Sequence, residues 1–379
     1  MKRMALAGGI LALLLLIFIL LLIRTRKKPA DITAPEQTYT AEQASATTDT
    51  AATGNPDEAA LSEGVPLENP ATAVQQLLPE FEDGTGNAGL IPMSDWMVAA
   101  TDHIGYVTDG QNGWYTPDLV NCYYNGWFTA EGATYHLDSS GLADFGWKLI
   151  GGKGCYFDEN AVYQPDADPN RLLAFTFDDG PSQGMDEILA LCEETGARVT
   201  FFMIGKQVEI GGAVIPHIIK DRCEVGNHTN THTQQLKLSV EDSVADFREC
   251  DNQILAWSGG IESDAVRYPY GDFTPEHAAA LDKPSIMWSV DSLDWDLLEA
   301  QPVIDTVLSQ ITEGDIILMH DRYDSTVEAC RYLFPYLISQ GYQLVTVKEL
   351  AAAKGFELEP GKAYYGFCQN YIEENRVTG

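Results

Sequence analysis

The sequence predicts an α/β fold with a parallel sheet or barrel, and three observations lead to this prediction. After residue 170, apolar strand-like runs alternate strictly with helical segments, as in α/β proteins. Several of these runs end in polar clusters, and active-site residues of such folds lie at the carboxyl ends of strands. The preceding segment has a different pattern, with dense aromatic residues and regularly spaced glycines. A chain of 379 residues is long enough for two or three domains.

The α/β part is expected to contain six strands and five helices. The predicted strands are 172–177, 199–204, 265–267, 285–290, 315–319 and 342–346. The predicted helices are 183–195, 213–221, 240–258, 303–311 and 326–339. Gly196 is expected to cap the end of the first helix. Ser239, with Asp242 three residues later, predicts the start of the third helix.

The amino-terminal segment predicts a membrane anchor. Residues 4–23 form an uninterrupted apolar run of 20 residues, which is the length of a bilayer-spanning helix. A basic cluster follows in place of a small-residue cleavage site, which favours an uncleaved anchor (1–28) over a signal peptide. Basic residues flank both ends, and the positive-inside rule read literally would keep the rest of the chain in the cytoplasm. The features described below favour a single-pass cell-membrane protein with an extracytoplasmic catalytic domain.

The amino-acid composition changes twice after the predicted anchor. Residues 29–89 are rich in Ala, Thr, Glu and Pro and are expected to form a disordered linker. Residues 90–165 contain a repeat of 20 residues, in which Gly126-Trp127 recurs as Gly146-Trp147. Such a period predicts stacked units of one β-hairpin each. These units resemble the choline- and glucan-binding cell-wall repeats of surface proteins, although His136 and Cys155 replace typical aromatics. The resemblance implies a cell-wall ligand, and a structural spacer is the alternative.

Charge and cysteine content exclude several classes of function. The chain has a net charge of −33, and outside the first 28 residues 17 basic residues face 56 acidic ones, a balance of −39. Such a body does not bind nucleic acid through its overall field. The seven cysteines show no C-x-x-C spacing, which argues against a zinc ribbon or a thioredoxin-like site.

Two carboxylates mark the end of the first predicted strand of the α/β part. The run 172–177 is followed directly by Asp178 and Asp179, and Gly180-Pro181 then ends the strand. Adjacent like charges repel unless a proton or a metal ion neutralises one of them. An ordinary surface turn is the alternative for this motif taken alone.

Two histidines supply further candidate ligands. His228 and His232 have i, i+4 spacing, which on a helical turn would place both rings on one face. Two histidines and one aspartate form the ligand set of a catalytic divalent-metal site with open positions. Polar clusters at 267–271, 291–295 and 320–321 each follow a predicted strand, and core packing does not explain that recurrence.

These five segments, in this order, resemble the polysaccharide deacetylases of the NodB type, which form carbohydrate esterase family 4. The resemblance covers about residues 172–350. It implies a distorted (β/α) barrel that removes acetyl groups from N-acetylated sugars. It also implies one divalent metal, Zn²⁺ in the first place, with Co²⁺ or Mn²⁺ as alternatives. The expected domains are therefore the anchor 1–28, the linker 29–89, the repeats 90–165, the catalytic domain 166–355 and a tail 356–379.

The resemblance also implies a role for each residue of the five segments. Asp178 would be the general base, and Asp179, His228 and His232 would bind the metal. Arg267 would hold Asp178, and Asp294 would support His320 as the general acid. The backbone N–H of Tyr270 would stabilise the oxyanion, and Trp295 and Leu318 would line the pocket for the acetyl methyl group.

The chemistry of these residues agrees with hydrolysis of an amide. An activated water, an electrophile and a proton donor are needed, and the set offers a group for each. The expected activity is deacetylation of cell-wall glycan, with peptidoglycan N-acetylglucosamine as the leading substrate. Deacetylation of another acetylated polymer, such as chitin or acetylxylan, is an alternative. An inactive wall-binding surface protein is a second alternative.

Overall fold

The computed structural model describes residues 88–369 and Tyr371. The predicted anchor (1–28) and all but the last two residues of the predicted linker (29–89) lie outside the described residues.

The amino-terminal part of the described chain consists of short antiparallel strands around one helix, α1 (Asp95–Ala100). Strand β2 pairs with β3, β5 with β6 and β7 with β8, and β1 pairs with β4. Gly126 faces Leu137 in one hairpin, and Gly146 faces Phe157 in the next. The two registers are therefore equivalent at a spacing of 20 residues. The strands are β1 (Gly89–Pro92), β2 (Gly105–Thr108), β3 (Gly113–Thr116), β4 (Asn121–Tyr124), β5 (Gly126–Ala130), β6 (Ala133–Leu137), β7 (Gly146–Ile150) and β8 (Lys153–Phe157).

The large aromatic side chains of these hairpins pack against one another. Trp114, Trp127 and Phe157 are almost completely buried. The ring of Trp127 lies 5.8 Å from that of Phe157 and 5.1 Å from that of Tyr163, measured between centroids. These rings therefore form the core of the hairpin region, because no single hairpin can bury its own apolar face.

The rest of the described chain alternates strands and helices around a parallel sheet. The strands are β9 (Leu172–Gly180), β10 (Thr200–Met203), β11 (Glu224–Asn227), β12 (Ser285–Ile286), β13 (Val290–Asp291), β14 (Ile316–His320), β15 (Gln343–Leu344) and β16 (Ala363–Tyr364). The strand order is β13, β14, β9, β10 and β11, and β15 pairs with the start of β9. The helices are α2 (Met185–Thr195), α3 (Gly205–Gly211), α4 (Ile215–Lys220), α5 (Val240–Trp257), α6 (Pro275–Ala279), α7 (Asp294–Leu297), α8 (Ala300–Gln310), α9 (Asp324–Ser339) and α10 (Val347–Ala353).

Local sequence signals account for several helix ends. The Ser239 hydroxyl accepts a hydrogen bond from the Asp242 N–H and so caps α5, as predicted. Gly196 ends α2 in a left-handed conformation with φ of 73°, also as predicted. The predicted helix 213–221 corresponds to α4, which follows a 3₁₀ turn (Gly212–Val214), and the preceding helix α3 was not predicted.

The sheet is open, which corrects the expectation of a distorted barrel. Single parallel bridges continue the sheet from Asn227 through Val266 to Ser285, and β12 pairs with β16. The predicted strand 285–290 is divided, because the Met287 N–H donates to Tyr364 and the Ser289 N–H to Ile316. Its two halves thus belong to opposite edges of the sheet. Among the described strands no ladder closes the gap between β16 and β13.

The third hairpin packs directly against the α/β part. The Trp147 N–H donates to Glu349 Oε1 at 3.3 Å, and its indole Nε1–H donates to Gln343 Oε1 at 3.1 Å. Gly146 has φ of +67°, and a Cβ there would overlap Glu349, so glycine is required at this contact. Trp147 belongs to the same apolar cluster as Leu172 and Ala174 of β9. The hairpin region is therefore joined to the sheet through its core.

The structure corrects the predicted localisation as a single-pass membrane protein with an extracytoplasmic catalytic domain. In the part of the chain that is described, no helix combines the length and the apolar character needed to cross a bilayer. The apolar run 4–23, on which the prediction depended, lies outside the described residues.

Candidate active site

The carboxyl ends of the central strands bring the predicted residues together. Strand β9 ends with Asp178, Asp179 and Gly180, and β14 ends with His320. In the parallel register His320 lies beside Asp178. His228 follows β11 directly, so the polar residues from three strands meet at the carboxyl ends of the strands.

Asp178 forms a buried ion pair with Arg267. Arg267 Nη1 donates to Asp178 Oδ1 at 2.8 Å and to the Thr176 hydroxyl at 2.7 Å. Its Nε and Nη2 donate to the carbonyl oxygens of Ile286 and Met287, both at 2.9 Å. Since each side-chain nitrogen has an acceptor, this fully buried guanidinium is held in one orientation. Burial lowers the pKa of Arg267, and the charge of Asp178 opposes that shift.

Asp179, His228 and His232 form a cluster that fits a metal ion. One ligand atom from each residue can be chosen so that all three atoms lie within 4.8 Å of one another. Asp179 Oδ1 lies 3.2 Å from His232 Nε2 and 3.8 Å from His228 Nε2. Asp179 and His232 have positive φ angles of 73° and 55°, which non-glycine residues seldom adopt. The backbone is therefore strained where these two side chains are presented.

The two histidines do not lie on a helix, which corrects the geometry expected from their spacing. After β11 the chain forms a loop in which Thr229 also has a positive φ, of 65°. Asn227 Oδ1 accepts from the Thr229 N–H, and the Thr229 hydroxyl accepts from the His232 N–H, both at 2.9 Å. These two local hydrogen bonds fold the loop so that the imidazole centroids are 5.0 Å apart.

Hydrogen bonding selects the nitrogen that His228 presents. Its Nδ1 lies 2.9 Å from the carbonyl oxygen of Arg267, which can only accept, so Nδ1 carries the proton. Nε2 is thus the nitrogen that faces the two carboxylates, and a hydrogen bond on the other ring nitrogen is what orients a metal-binding histidine.

Asp179 Oδ1 supplies the test of whether the site fits a metal. It is buried and has no hydrogen-bond partner among the described residues. Burial works against the charged form of this carboxyl. The charges of His228, His232 and His320 and a hydrogen bond from Arg322 nevertheless hold its pKa below the usual value. A buried, ionised and unpartnered oxygen facing two imidazoles fits a divalent cation.

His320 is fixed by a buried aspartate. Its Nδ1 lies 2.8 Å from Asp294 Oδ1, and its backbone N–H donates to Asp294 Oδ2 at 2.7 Å. The Thr326 hydroxyl donates to the same Oδ2 at 2.6 Å. Burial disfavours the imidazolium, but the hydrogen bond and charge of Asp294, with the more distant Asp178 and Asp179, raise the pKa of His320 to about 9.

The three predicted substrate-contact residues differ in exposure, and one of them contacts a predicted metal ligand. Tyr270 has a positive φ of 63° and a side chain that is 65% exposed, and its ring centroid lies 4.9 Å from that of His232. Trp295 is half-exposed on α7, next to Asp294. Leu318 is buried in β14, where it pairs with Thr176 and Asp291.

Three residues that contact the site were not singled out from the sequence. Thr176 and Thr326 hold Arg267 and Asp294, and a threonine within a predicted strand or helix carries no signal for such a role. Arg322 Nη1 donates to Asp179 Oδ2 at 3.2 Å. The only sequence signal for Arg322 is its position two residues after His320.

Comparisons with known proteins agree with this geometry. The family model for polysaccharide deacetylases matches residues 166–285. A peptidoglycan-N-acetylglucosamine deacetylase of Bacillus cereus is 30% identical over 48% of this chain and 90% of its own length. The chain belongs to the polysaccharide deacetylase family.

Two further relatives bear on the same half of the chain. The solved structure described as "T48 deacetylase with substrate" has 32% sequence identity and a TM-score of 0.50, over 52% of this chain and 99% of that one. The peptidoglycan-N-acetylmuramic acid deacetylase PdaC of Bacillus subtilis is 32% identical over 49% of this chain. The chain spans only 40% of the length of PdaC.

Proposed function

We propose that this protein is a metal-dependent hydrolase that removes N-acetyl groups from cell-wall polysaccharide and releases acetate. Its leading substrate is the N-acetylglucosamine of peptidoglycan. One observation carries the proposal: three residues that could hold a metal ion lie at the carboxyl ends of the strands, together with a carboxylate held by arginine and an imidazole held by aspartate. Family membership and the peptidoglycan deacetylases among the relatives support it.

The metal-ligand set is Asp179, His228 and His232, with Zn²⁺ as the leading ion and Co²⁺ or Mn²⁺ as alternatives. A divalent cation bound there would polarise the acetyl carbonyl and lower the pKa of a water molecule. Three protein ligands leave room for substrate, which is the property of catalytic rather than structural sites.

Asp178 is the proposed general base. It is buried, and its Oδ1 accepts a hydrogen bond from the Arg267 guanidinium. Its Oδ2 faces His228 Nε2 at 3.5 Å, on the side of the ligand cluster. The rigid Arg267 thereby fixes the direction in which Asp178 accepts the proton from an attacking water.

His320 is the proposed general acid. With its pKa raised to about 9, against burial, by Asp294, Asp178 and Asp179, it carries its proton at neutral pH. Asp294 occupies Nδ1, so Nε2–H is the donor for the departing amine. The Asp294–Thr326 hydrogen bond keeps that ring in place.

The remaining predicted residues complete the proposed substrate site. The positive φ of Tyr270 sets the direction of its backbone N–H, which we assign to the carbonyl oxygen of the acetyl group. The buried Leu318 and the half-exposed Trp295 provide apolar surface for the methyl group and the sugar.

The experiment that tests the proposal is acetate release by the purified full-length chain. Peptidoglycan, chitin oligosaccharides and acetylxylan are compared after dialysis against chelator and again after addition of Zn²⁺, Co²⁺ or Mn²⁺. We expect release from peptidoglycan only when metal is present. Release from chitin or acetylxylan alone would assign the substrate to another polymer. Absence of acetate with every polymer and metal would contradict the proposed activity and favour an inactive wall-binding protein.

A further inference from the structure

The candidate site is bordered by an arginine that none of the roles proposed above uses. The Arg322 side chain is 55% exposed, and it contacts Asp179 Oδ2 through Nη1. Its guanidinium carbon lies 5.7 Å from the ring centroid of Tyr323. Arg322 therefore stands at the mouth of the site, on the outer oxygen of a predicted metal ligand.

The two arginines of the site differ in how many of their donors are occupied. Arg267 is fully buried, and all three of its side-chain nitrogens donate to protein oxygens. Arg322 has one hydrogen bond recorded among the described residues, to Asp179. A guanidinium has five N–H donors in a planar fork that matches a carboxylate. Arg322 thus has donors available for a partner that arrives from solvent.

Charge indicates what kind of partner this is. Outside its first 28 residues the chain has 17 basic and 56 acidic residues, so its overall field repels anions. Two other exposed basic side chains pair with acidic ones elsewhere, Arg331 with Glu187 and Lys348 with Asp264. An anionic group that reaches this site needs a local cation, and Arg322 is placed to be that cation.

A cation bound at Asp179 Oδ1 would make the donors of Arg322 more available to an incoming anion. The carboxylate would then be shared between two positive charges, which weakens its hold on the guanidinium. The contact of 3.2 Å with Asp179 also keeps Arg322 within the span of one sugar unit from the ligand cluster.

We propose that Arg322 is a specificity-determining residue that binds a carboxylate of the glycan, on the deacetylated sugar or on its neighbour. The preferred substrate is then an N-acetylated glycan with carboxylate substituents rather than a neutral one. This inference rests on the proposed function and narrows its substrate class.

The test compares two glycans of equal length. One is a peptide-free peptidoglycan oligosaccharide, whose alternate sugars carry a free lactyl carboxylate, and the other is a neutral chitin oligosaccharide. The readout is the ratio of kcat/KM for the acidic glycan to that for the neutral one. A ratio is needed because losing Arg322 also removes a hydrogen bond from Asp179, which affects both substrates.

We expect Arg322→Gln to lower this ratio about 3- to 10-fold, mainly through KM, as for a half-exposed bidentate pair. Arg322→Lys should keep part of the preference, and added salt should reduce it in the wild type. Arg331→Gln is the matched control, because it removes an exposed, ion-paired arginine on α9. Its ratio should equal that of the wild type.

An unchanged ratio in Arg322→Gln would overturn the inference, and if kcat/KM falls equally on both glycans, Arg322 acts on Asp179 alone. A second arm measures the ratio of binding affinities for the acidic and the neutral glycan. It uses the Asp178→Asn variant, with and without Arg322→Gln. That arm needs no turnover. If the wild type releases acetate from neither glycan, the proposed function fails while the binding ratio still decides the role of Arg322.

Discussion

Buried carboxylates at the two ends of the parallel sheet have different kinds of partner. At the carboxyl end, Asp178 is paired with Arg267, and Asp294 with His320. At the amino end, Glu224 Oε2 accepts from the Thr200 hydroxyl at 2.8 Å and from the Lys348 N–H at 3.2 Å. Its Oε1 is buried without a hydrogen-bond partner in the described part of the chain.

The difference appears in the pKa of the groups. Burial, with a smaller contribution from Asp264, raises the pKa of Glu224 to about 7. The pKa of Asp179 is instead held below its usual value, against burial, by the neighbouring histidines and Arg322. Burial also raises the pKa of Asp321, directly after His320, to about 7. The contrast therefore holds between Asp179 and Glu224 and does not extend to every buried carboxyl at the two ends.

The amino end of the sheet is also the end that contacts the hairpin region. The amino end borders a cleft of about 970 Å³ between the sheet and the hairpins, lined by Glu224, Phe145 and Trp147. Hairpin side chains and α10 meet there through Trp147 and Glu349. We interpret this end as the structural joint of the molecule and the opposite end as its reactive centre.

The largest expected effect is at the reactive end. Asp178→Asn removes the proposed base while keeping its size, and kcat should fall about 10²- to 10⁴-fold. Acetate release at saturating metal measures the loss. Asp305→Asn, an exposed carboxylate on α8, is the control and should keep full activity. Wild-type turnover in Asp178→Asn would remove the base from the proposal.

At the structural joint, the expected effect is on stability. Trp147→Ala removes a buried indole and its hydrogen bond to Gln343, and should lower the free energy of unfolding by about 3–5 kcal/mol. Urea unfolding followed by circular dichroism measures the change. Trp96→Ala, a half-exposed indole on α1, should cost much less. Equal losses would show that the hairpins do not stabilise the sheet through Trp147.

The pH dependence of turnover tests the imidazole. Because the pKa of His320 is raised, its acid form is present at neutral pH and is lost as the pH rises toward about 9. A bound cation opposes the shift and moves this alkaline limb to lower pH. His320→Gln should lose about 10²-fold in kcat at neutral pH and should flatten the limb. An unchanged limb in the variant would assign it to another group.

The smallest effect is expected for Glu224. Its folded pKa lies above the unfolded value, so between about pH 4.5 and 7 the folded chain holds a proton that the unfolded chain has released. Stability therefore falls as the pH rises through this window. Glu224→Gln lacks this loss, so its free energy of unfolding should gain on that of the wild type as the pH rises. We expect the difference between variant and wild type to be about 1–3 kcal/mol more favourable to the variant at pH 8 than at pH 5. The pH dependence of the melting temperature measures this, and parallel curves would contradict it.

Strand patterns and the order of motifs were sufficient to predict the elements that form the site. Asp178, Asp179 and His320 were found because an apolar run that ends in acidic or histidine residues marks the carboxyl end of a strand. Features that depend on contacts between residues distant in sequence could not be predicted in this way. The divided strand at Met287, the α10 contact of Trp147 and the role of Thr326 each require a partner from another segment.

Backbone conformation limited one prediction, and side-chain burial bears on another. The spacing of His228 and His232 suggested a helical turn, but left-handed residues at Thr229 and His232 produce the proximity instead. A wall ligand for the hairpins stays a prediction. The burial of Trp114 and Trp127 commits these rings to packing and favours the alternative of a structural spacer.

The central claim is that two adjacent aspartates have separate roles, one as base and one as metal ligand. Zinc affinity and stoichiometry, measured by chelator competition, test this in Asp178→Asn and Asp179→Asn. We predict one zinc per chain with near wild-type affinity for Asp178→Asn, and an affinity at least about tenfold weaker for Asp179→Asn. Loss of zinc by Asp178→Asn with retention by Asp179→Asn would show that the roles are exchanged, and wild-type affinity in both would contradict the ligand set.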